Sequence, residues 1–158
     1  MKAYRNSPIF KKSQEIFETI ERIIELFPED NEHLEYMKSQ LRSDSMLIQA
    51  KLAGAFAVKL YDQKMENATL IRKAARDLMV SYHSLDMYGF KDVQYYLLVR
   101  EQIEEFRLLF VDWVAGFNPK HFITDEWGLF NPPGIGPDYE QRSDELNFFD
   151  EDDEYDDD

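Results

Sequence analysis

The chain has no cysteine among its 158 residues. Disulfides and thiolate-bound metal sites are therefore excluded, and the absence is typical of a reducing compartment. Long apolar runs are also missing, because no stretch approaches the roughly 18 residues of a membrane-spanning helix. The first residues, MKAYRNSPIFKK, lack the apolar segment of a signal peptide. We therefore expect a soluble, cytoplasmic protein that does not associate with membranes.

Proline and glycine are scarce over the first 118 residues and frequent directly after them. Residues 1–118 contain Pro8, Pro28, Gly54, Gly89 and Gly116, whereas residues 119–137 contain Pro119, Pro132, Pro133, Pro137, Gly128, Gly134 and Gly136. Because both residue types interrupt helices, the pattern predicts a helical body followed by an extended segment. We call residues 1–118 the body, residues 119–137 the arm and residues 138–158 the tail.

Positive charge is almost absent from the C-terminal part of the chain. The net charge is −14, yet residues 1–120 hold 17 Lys and Arg against 18 Asp and Glu. Residues 121–158 hold one basic residue, Arg142, and 14 acidic residues. The asymmetry indicates a nearly neutral globular body that carries an acidic tail, which we expect to be disordered.

The first half of the body predicts two long helices. The first extends from about Ser7, a favourable N-cap, to about Phe27, where Pro28 stops it. The second begins at Asp30 or Asn31 and, without an internal proline, continues to about residue 62. Its buried side is marked by Leu34, Leu41, Ile48, Leu52 and Ala55.

The second half predicts two more helices. The third extends from about Glu66 to Tyr88 and is stopped by Gly89. The fourth begins at Asp92, and its apolar residues recur at steps of three and four: Tyr96, Val99, Ile103, Phe106, Phe110, Trp113 and Phe117. A second apolar set lies beside that stripe and consists of Leu98, Leu109 and Val114. Such a helix is typically covered on two sides, by its own bundle and by a second subunit, and the pattern alone favours neither presence nor absence of that subunit.

Short connections between long helices make sequential neighbours antiparallel. The sequence therefore predicts an all-α fold, an up-down-up-down antiparallel four-helix bundle with an extended C-terminal arm and an acidic tail. The apolar residues of the arm favour packing on the bundle or on a neighbouring subunit, and the alternative is a motif that becomes ordered only on a partner.

Several segments of the body resemble a bacterial four-helix bundle family first met as reading frames in intervening sequences of 23S rRNA genes. The family pattern includes an aromatic-Lys-Lys start of the first helix, here Phe10-Lys11-Lys12, and a Phe-Pro end, here Phe27-Pro28. Its second-helix signature, S-Q-I-R-R-A-A-x-S-I-P-S-N-I-A-E-G, is matched by Ser39, Gln40, Arg42, Ile48 and Ala53. The chain departs from it at Ser43, Gln49, Lys51 and Gly54-Ala55, so the resemblance implies a divergent member with an added arm and tail.

The resemblance implies a homopentamer around a central channel and no established catalysis. A relative within this family is Avd, the accessory variability protein of diversity-generating retroelements. Avd-like members are basic and bind nucleic acid and a reverse transcriptase. That function depends on positive charge, which the nearly neutral body of this chain does not carry in excess.

No arrangement of residues in the sequence predicts catalysis. The three histidines, His33, His83 and His121, lie in different segments, and the Glu-x-x-His motif of di-iron bundles does not occur. The phosphate-binding motif G-x-x-x-x-G-K-[ST] and the hydrolase motif G-x-S-x-G are also missing. We expect no enzyme activity, no cofactor and no metal site.

Nucleic-acid binding is the alternative function, since it requires clustered basic residues. The candidate contacts are Arg42, Lys51, Arg72, Lys73 and Arg76 on the second and third helices. Solvated helix faces with balancing acidic residues explain the same pattern, and only a ring of several subunits would concentrate the charge.

Protein docking is our first functional hypothesis. Aromatic residues interrupt the arm and the acidic tail, and the docking candidates are Trp127, Phe130, Phe148, Phe149 and Tyr155. Such residues anchor partners, while the carboxylates imitate phosphates on a basic face. The alternative is a tail that only increases solubility. The sequence therefore favours a non-enzymatic, oligomeric adaptor whose arm and tail bind a partner protein, with a nucleic-acid enzyme as the first candidate.

Overall fold

A computed structural model of the chain describes residues 3–150, which are all-helical and contain no β-strand. The four α-helices are α1 (Pro8–Ile24), α2 (Glu32–Phe56), α3 (Tyr61–Met87) and α4 (Tyr96–Ala115). Three 3-10 helices span Ala3–Asn6, Val93–Tyr95 and Ser143–Asp150. Among these helices, none combines the length and the apolar character needed to cross a membrane.

The predicted N-caps of α1 and α2 are confirmed. The Ser7 hydroxyl accepts a hydrogen bond from the Phe10 amide at 3.4 Å, and Pro8 occupies the first turn. The Asn31 side chain accepts one from the Leu34 amide at 3.1 Å. Both helices begin where a short polar side chain satisfies an amide that the helix leaves free.

The boundary between α2 and α3 differs from the prediction. α2 ends at Phe56 rather than near residue 62, and α3 begins at Tyr61 rather than near Glu66. Two tertiary contacts fix this boundary. The Lys64 ammonium donates to the Ala55 carbonyl at 2.6 Å, and this hydrogen bond satisfies a backbone acceptor at the end of α2. The Tyr61 amide donates to the His121 carbonyl in the arm at 2.7 Å.

Gly89 ends α3 as predicted, in a Schellman motif. Its φ angle is +82°, a left-handed conformation that glycine adopts without strain. The Phe90 amide donates to the Leu85 carbonyl at 3.0 Å and the Gly89 amide to the Asp86 carbonyl at 3.1 Å. The predicted start of α4 at Asp92 is wrong. The Asp92 side chain makes no capping hydrogen bond, and a 3-10 helix precedes α4, which begins at Tyr96.

The core lies between the four α-helices, with α1 and α3 each contacting α2 and α4. The fully buried side chains include Ile16, Ile20, Leu34, Leu41, Ile48, Leu52, Ile71, Leu78, Leu85, Tyr96 and Val99. On the predicted stripe of α4, Phe106 is also buried, whereas Phe110 and Trp113 are half-buried and pack against the core from its edge. The stripe therefore faces the core most closely in its first half.

Aromatic contacts mark the two ends of the helices. At one end, Phe56 of α2 stacks on Tyr4 with ring centroids 5.7 Å apart and lies 6.0 Å from Trp113 of α4. At the other end, Phe27 makes an edge contact with Phe90, with centroids 4.9 Å apart.

The arm contains no α-helix, as predicted, but the tail differs from the expected disorder up to Asp150. Residues 143–150 form a 3-10 helix, and Phe148 within it is buried. Composition predicted disorder because acidic residues dominate this segment, yet one buried aromatic residue fixes it to the arm. Residues 151–158 of the predicted tail lie outside the described residues.

Candidate functional site

The middle of the arm is a closed loop, residues 125–131, which we call the display loop. The Asp125 amide donates to the Asn131 side chain at 2.9 Å, and the Asn131 side-chain amide donates back to the Asp125 carbonyl at 2.9 Å. The Asp125 carboxylate also accepts from the Trp127 amide at 3.0 Å. These hydrogen bonds join the two ends of the loop. They pair backbone groups that have no partner in a helix or a sheet.

Gly128 is required at the tip of the display loop. Its φ angle is +70°, and a Cβ atom at this position would lie 2.5 Å from the Pro137 ring. Any other residue would therefore be strained in its backbone and would also collide with Pro137. The absence of a side chain at Gly128 therefore lets the loop approach Pro137 at the end of the arm.

The display loop exposes two large apolar side chains. Trp127 is 93% exposed and Leu129 is 74% exposed, whereas Phe130 beside them is half-buried. Exposed large apolar residues on an ordered loop are typical of a binding surface. Trp127 is therefore available for docking, as a predicted docking residue should be. Leu129 is a second exposed candidate, which the sequence pattern did not single out.

Gln141 holds the arm in place from the tail. Its side-chain amide donates to the Phe122 carbonyl at 2.5 Å, and its side-chain oxygen accepts from the Thr124 amide at 3.0 Å. A single side chain thereby satisfies two backbone groups that precede the display loop. No local sequence signal indicated this role, because the bonded residues are far apart in the chain.

Phe148 and Phe149 occupy different environments. Phe148 stacks on the His121 ring with centroids 4.8 Å apart and is buried, so it is unavailable as an anchor for a partner. The prediction of Phe148 as a docking residue is corrected accordingly, because this side chain anchors the tail to the arm. Phe149 is exposed. Tyr155 lies outside the described residues.

The basic candidates on α2 do not form one patch. Arg42 makes two hydrogen bonds to the Glu21 carboxylate of α1, at 2.7 and 2.9 Å. The bond lowers the pKa of Glu21 and raises the pKa of Arg42. Lys51 lies nine positions further along α2, and this spacing places it on the opposite side of a helix with about 3.6 residues per turn. Arg42 therefore pairs within the bundle, and Lys51 cannot extend its surface.

The basic candidates on α3 are closer together. Arg72, Lys73 and Arg76 are all exposed. Lys73 pairs with Asp77 at 2.7 Å, and this bond raises the pKa of Lys73. Burial, and after it the charge of Asp77, raises the pKa of Asp44 on the neighbouring α2 to about 6. The carboxylates of Asp77 and Asp44 thus lie beside these three basic residues and offset part of their charge, so the basic surface is small.

The outer side of α4 carries a second exposed apolar set. Leu97, Leu108 and Val111 are exposed and lie on one side of the helix, with Glu101 and Glu104 between them. Leu98 from the predicted second set is also exposed. This side faces away from the buried stripe.

No group of three or more His, Asp or Glu side chains among residues 3–150 is arranged to hold a metal ion. Comparisons of the chain with protein-family models, with curated proteins and with solved structures find no match.

Proposed function

We propose that the chain is a cytoplasmic, non-enzymatic adaptor whose display loop binds a partner protein, with a nucleic-acid enzyme as the first candidate. One observation carries the proposal: Trp127 is 93% exposed on a loop that Asp125 and Asn131 close with reciprocal hydrogen bonds. Tryptophan is among the residues that contribute most to binding energy at interfaces.

The order of the display loop supports this role. A loop that is already fixed loses little conformational entropy when a partner binds, so more of the contact energy appears as affinity. Gly128 lies close to Pro137, and Gln141 makes hydrogen bonds to two backbone groups of the arm that precede the loop. A surface that served only solubility would gain nothing from a fixed, apolar tip.

The body of this adaptor is a rigid scaffold in our proposal, an up-down-up-down antiparallel four-helix bundle of the intervening-sequence protein family. The end contacts support this topology, since the end of α2 at Phe56 lies beside Tyr4, which precedes α1, and beside Trp113 near the end of α4. The Phe27–Phe90 contact joins the segment after α1 to the segment after α3. The family assignment rests on the residues of the first and second helices described above.

We also propose that the scaffold is a homo-oligomer in which the outer side of α4 is covered by a second copy. The exposed residues Leu97, Leu108 and Val111 support this arrangement, and the family resemblance favours a pentamer. Light scattering on the full chain tests it. Val111→Glu should reduce the mass to that of a monomer, whereas Met46→Glu, at an α2 position that is 53% exposed against 54% for Val111, should not. A monomeric wild-type chain would contradict this part of the proposal.

Affinity capture tests the docking function itself. The full chain is tagged in cells that express it naturally, and Trp127→Ser is compared with Tyr36→Ser, a second exposed aromatic residue on α2. We expect one partner to be lost with Trp127→Ser and retained with Tyr36→Ser. Equal recovery with both variants would contradict the proposed role of the display loop.

The second candidate function is Avd-like binding of nucleic acid, with a reverse transcriptase or another nucleic-acid enzyme as partner. The exposed pair Arg72 and Arg76 on one side of α3 favours it. Electrophoretic mobility shift with single-stranded RNA at low and high salt tests this alternative. Binding that falls steeply with salt and is lost in the double variant Arg72→Ser, Arg76→Ser would favour it over docking.

A further inference from the structure

The outward side of α3 carries two arginines that have no carboxylate partner in the described structure. Arg72 and Arg76 are exposed and lie about one helical turn apart, so their side chains share one side of the helix. The neighbouring Lys73 is paired with Asp77, whereas neither arginine forms an ion pair with another of the residues 3–150. We call these two residues the arginine pair, and they form a small surface that is open to an anion.

The described part of the chain ends near the first turn of α3. The Tyr61 amide donates to the His121 carbonyl at 2.7 Å, and the His121 ring stacks on Phe148 with centroids 4.8 Å apart. Asp150 follows shortly after Phe148 and is the last residue of the same 3-10 helix. The residues after Asp150 therefore begin close to the end of α3 at which Tyr61 lies.

The arginine pair is within reach of those residues. Arg72 follows Tyr61 by about three helical turns, which places it on the same side of α3 and about 17 Å along the helix, and Arg76 lies at about 23 Å. We call residues 151–158 the terminal segment. It spans at most about 28 Å, and Tyr155 within it reaches at most about 18 Å from Asp150. The terminal segment is thus long enough to bring Tyr155 to Arg72 and its last residues to Arg76.

The terminal segment, EDDEYDDD, complements the arginine pair chemically. It carries seven carboxylates and no basic residue, with four of the carboxylates before Tyr155 and three after it. Carboxylates form charge-assisted and often bidentate hydrogen bonds to arginine, and the face of a tyrosine ring attracts a guanidinium. Both kinds of contact are therefore available to two arginines that are one turn apart.

We propose that the terminal segment binds the arginine pair of its own chain and covers it against other anions. In this arrangement the Tyr155 ring contacts the Arg72 guanidinium, and the aspartates that follow pair with Arg76. A nucleic acid must displace these carboxylates before its phosphates can bind the two arginines. The contact does not involve Trp127, so it adds an internal, competing contact to the proposed adaptor.

A photo-crosslinking amino acid at position 155 of the full chain tests the contact directly. After irradiation of the purified chain, we expect an adduct that migrates as a single chain. Peptide mass spectrometry should place its second attachment point between residues 68 and 80 of α3. No adduct, an attachment point outside this range, or an adduct that joins two chains would overturn the proposal.

Two double substitutions, each of which removes two positive charges, locate the surface. Arg72→Ser with Arg76→Ser should lower the yield of this adduct at least about fivefold, because the charge-assisted hydrogen bonds are lost. Arg22→Ser with Lys91→Ser changes two exposed residues near the far ends of α1 and α3, and it should change the yield less than about twofold, because salt screens distant exposed charges. Equal yields in the two double variants would overturn the assignment to the arginine pair.

Removal of residues 151–158 tests whether the terminal segment excludes other anions, with single-stranded oligouridine as the probe. The truncated chain should bind this RNA at least about tenfold more tightly than the full chain does, because two arginines become available to phosphates. Arg72→Ser with Arg76→Ser should abolish the gain, and Arg22→Ser with Lys91→Ser should retain it. The second pair is the control for net charge, which the truncation changes from −14 to −7 because seven acidic residues are removed.

Equal RNA affinity of the full and truncated chains, or a gain that persists without the arginine pair, would overturn the proposal. Partner capture through Trp127 should be unchanged by the truncation. Failure of this proposal is therefore distinguishable from failure of the docking proposal.

Discussion

Phe148 lies flat against His121, with ring centroids 4.8 Å apart and ring planes 14° apart. This contact joins the tail to the beginning of the arm. The His121 carbonyl in turn accepts from the Tyr61 amide at the start of α3, at 2.7 Å. The tail up to Asp150, the arm and the four α-helices are therefore connected through one histidine.

Removing this stacking contact should release the tail without unfolding the α-helices. We expect Phe148→Ala to increase amide hydrogen exchange in residues 139–150 by about tenfold or more, because local opening becomes easier when a buried aromatic residue is lost. Phe149→Ala removes a neighbouring ring that is exposed but packs against Phe148 at 4.3 Å, and it should increase exchange less than Phe148→Ala does. Similar exchange in both variants would show that the stack does not hold the tail.

Two phenylalanines one turn apart on α4 should differ in their contribution to stability. Phe106 is buried and Phe110 is half-buried at the edge of the core. We expect Phe106→Ala to lower the free energy of unfolding by about 3–5 kcal/mol, as for a fully buried aromatic residue, and Phe110→Ala by about 1–2 kcal/mol. Urea unfolding monitored by circular dichroism measures both. A larger loss for Phe110 would contradict the described position of the core.

The sequence predicts those parts of the fold that depend on neighbouring residues. Ser7, Asn31 and Gly89 act within one helical turn of their own position, so their roles as caps and stop follow from local chemistry. The end of α2 has no such signal, since neither proline nor glycine lies between Ala55 and residue 66. Its position depends on Lys64 and on the contact between Tyr61 and the arm, which periodicity cannot reveal.

In the candidate site, too, the sequence predicts what depends on nearby residues and misses what depends on contacts between distant segments. Trp127 was predicted from its residue type in a segment rich in proline and glycine. Phe148 was assigned the same role, but its burial depends on His121, which lies in a different segment. Arg42 is a predicted nucleic-acid contact, but it pairs with Glu21, which lies on another helix and is not recognisable as its partner from the sequence. Pairing between distant segments decides which side chains remain available.

Stability should depend on pH through Asp44. Its pKa in the folded chain is raised to about 6 from the ordinary value of 3.8, first by burial and second by the charge of Asp77. The folded state therefore holds the Asp44 proton more tightly than the unfolded state does, and stability should fall as the pH rises from about 4 to about 6. Asp44→Asn cannot titrate and should raise the melting temperature at pH 7.5 while changing it little at pH 4.

A matched substitution isolates this effect. Asp86→Asn removes one exposed carboxylate from α3 and should give the same small change in melting temperature at both pH values. If Asp44→Asn also gave equal changes at pH 4 and pH 7.5, then the shifted pKa of Asp44 would not contribute to the pH dependence.

The display loop should require glycine at one position more strongly than at another. Gly128 and Gly134 both have positive φ angles, but only a Cβ atom at Gly128 would meet Pro137, while the space around Gly134 is open. Gly134→Ala should therefore cost about 1 kcal/mol for its backbone strain alone, and Gly128→Ala should cost more and displace the loop. Trp127 fluorescence and its quenching by acrylamide report the change. Identical spectra for both variants would contradict the described contact.

The most direct measurement of the proposed docking function places a photo-crosslinking amino acid at position 127 of the full chain, with the same group at position 36 as control. Both native residues are exposed aromatics, Trp127 on the display loop and Tyr36 on α2. After irradiation in cells that express the chain, we expect one discrete adduct with a second protein from position 127 and none from position 36. The same adducts from both positions, or no adduct from position 127, would contradict the account of Trp127 as the anchor of a partner protein.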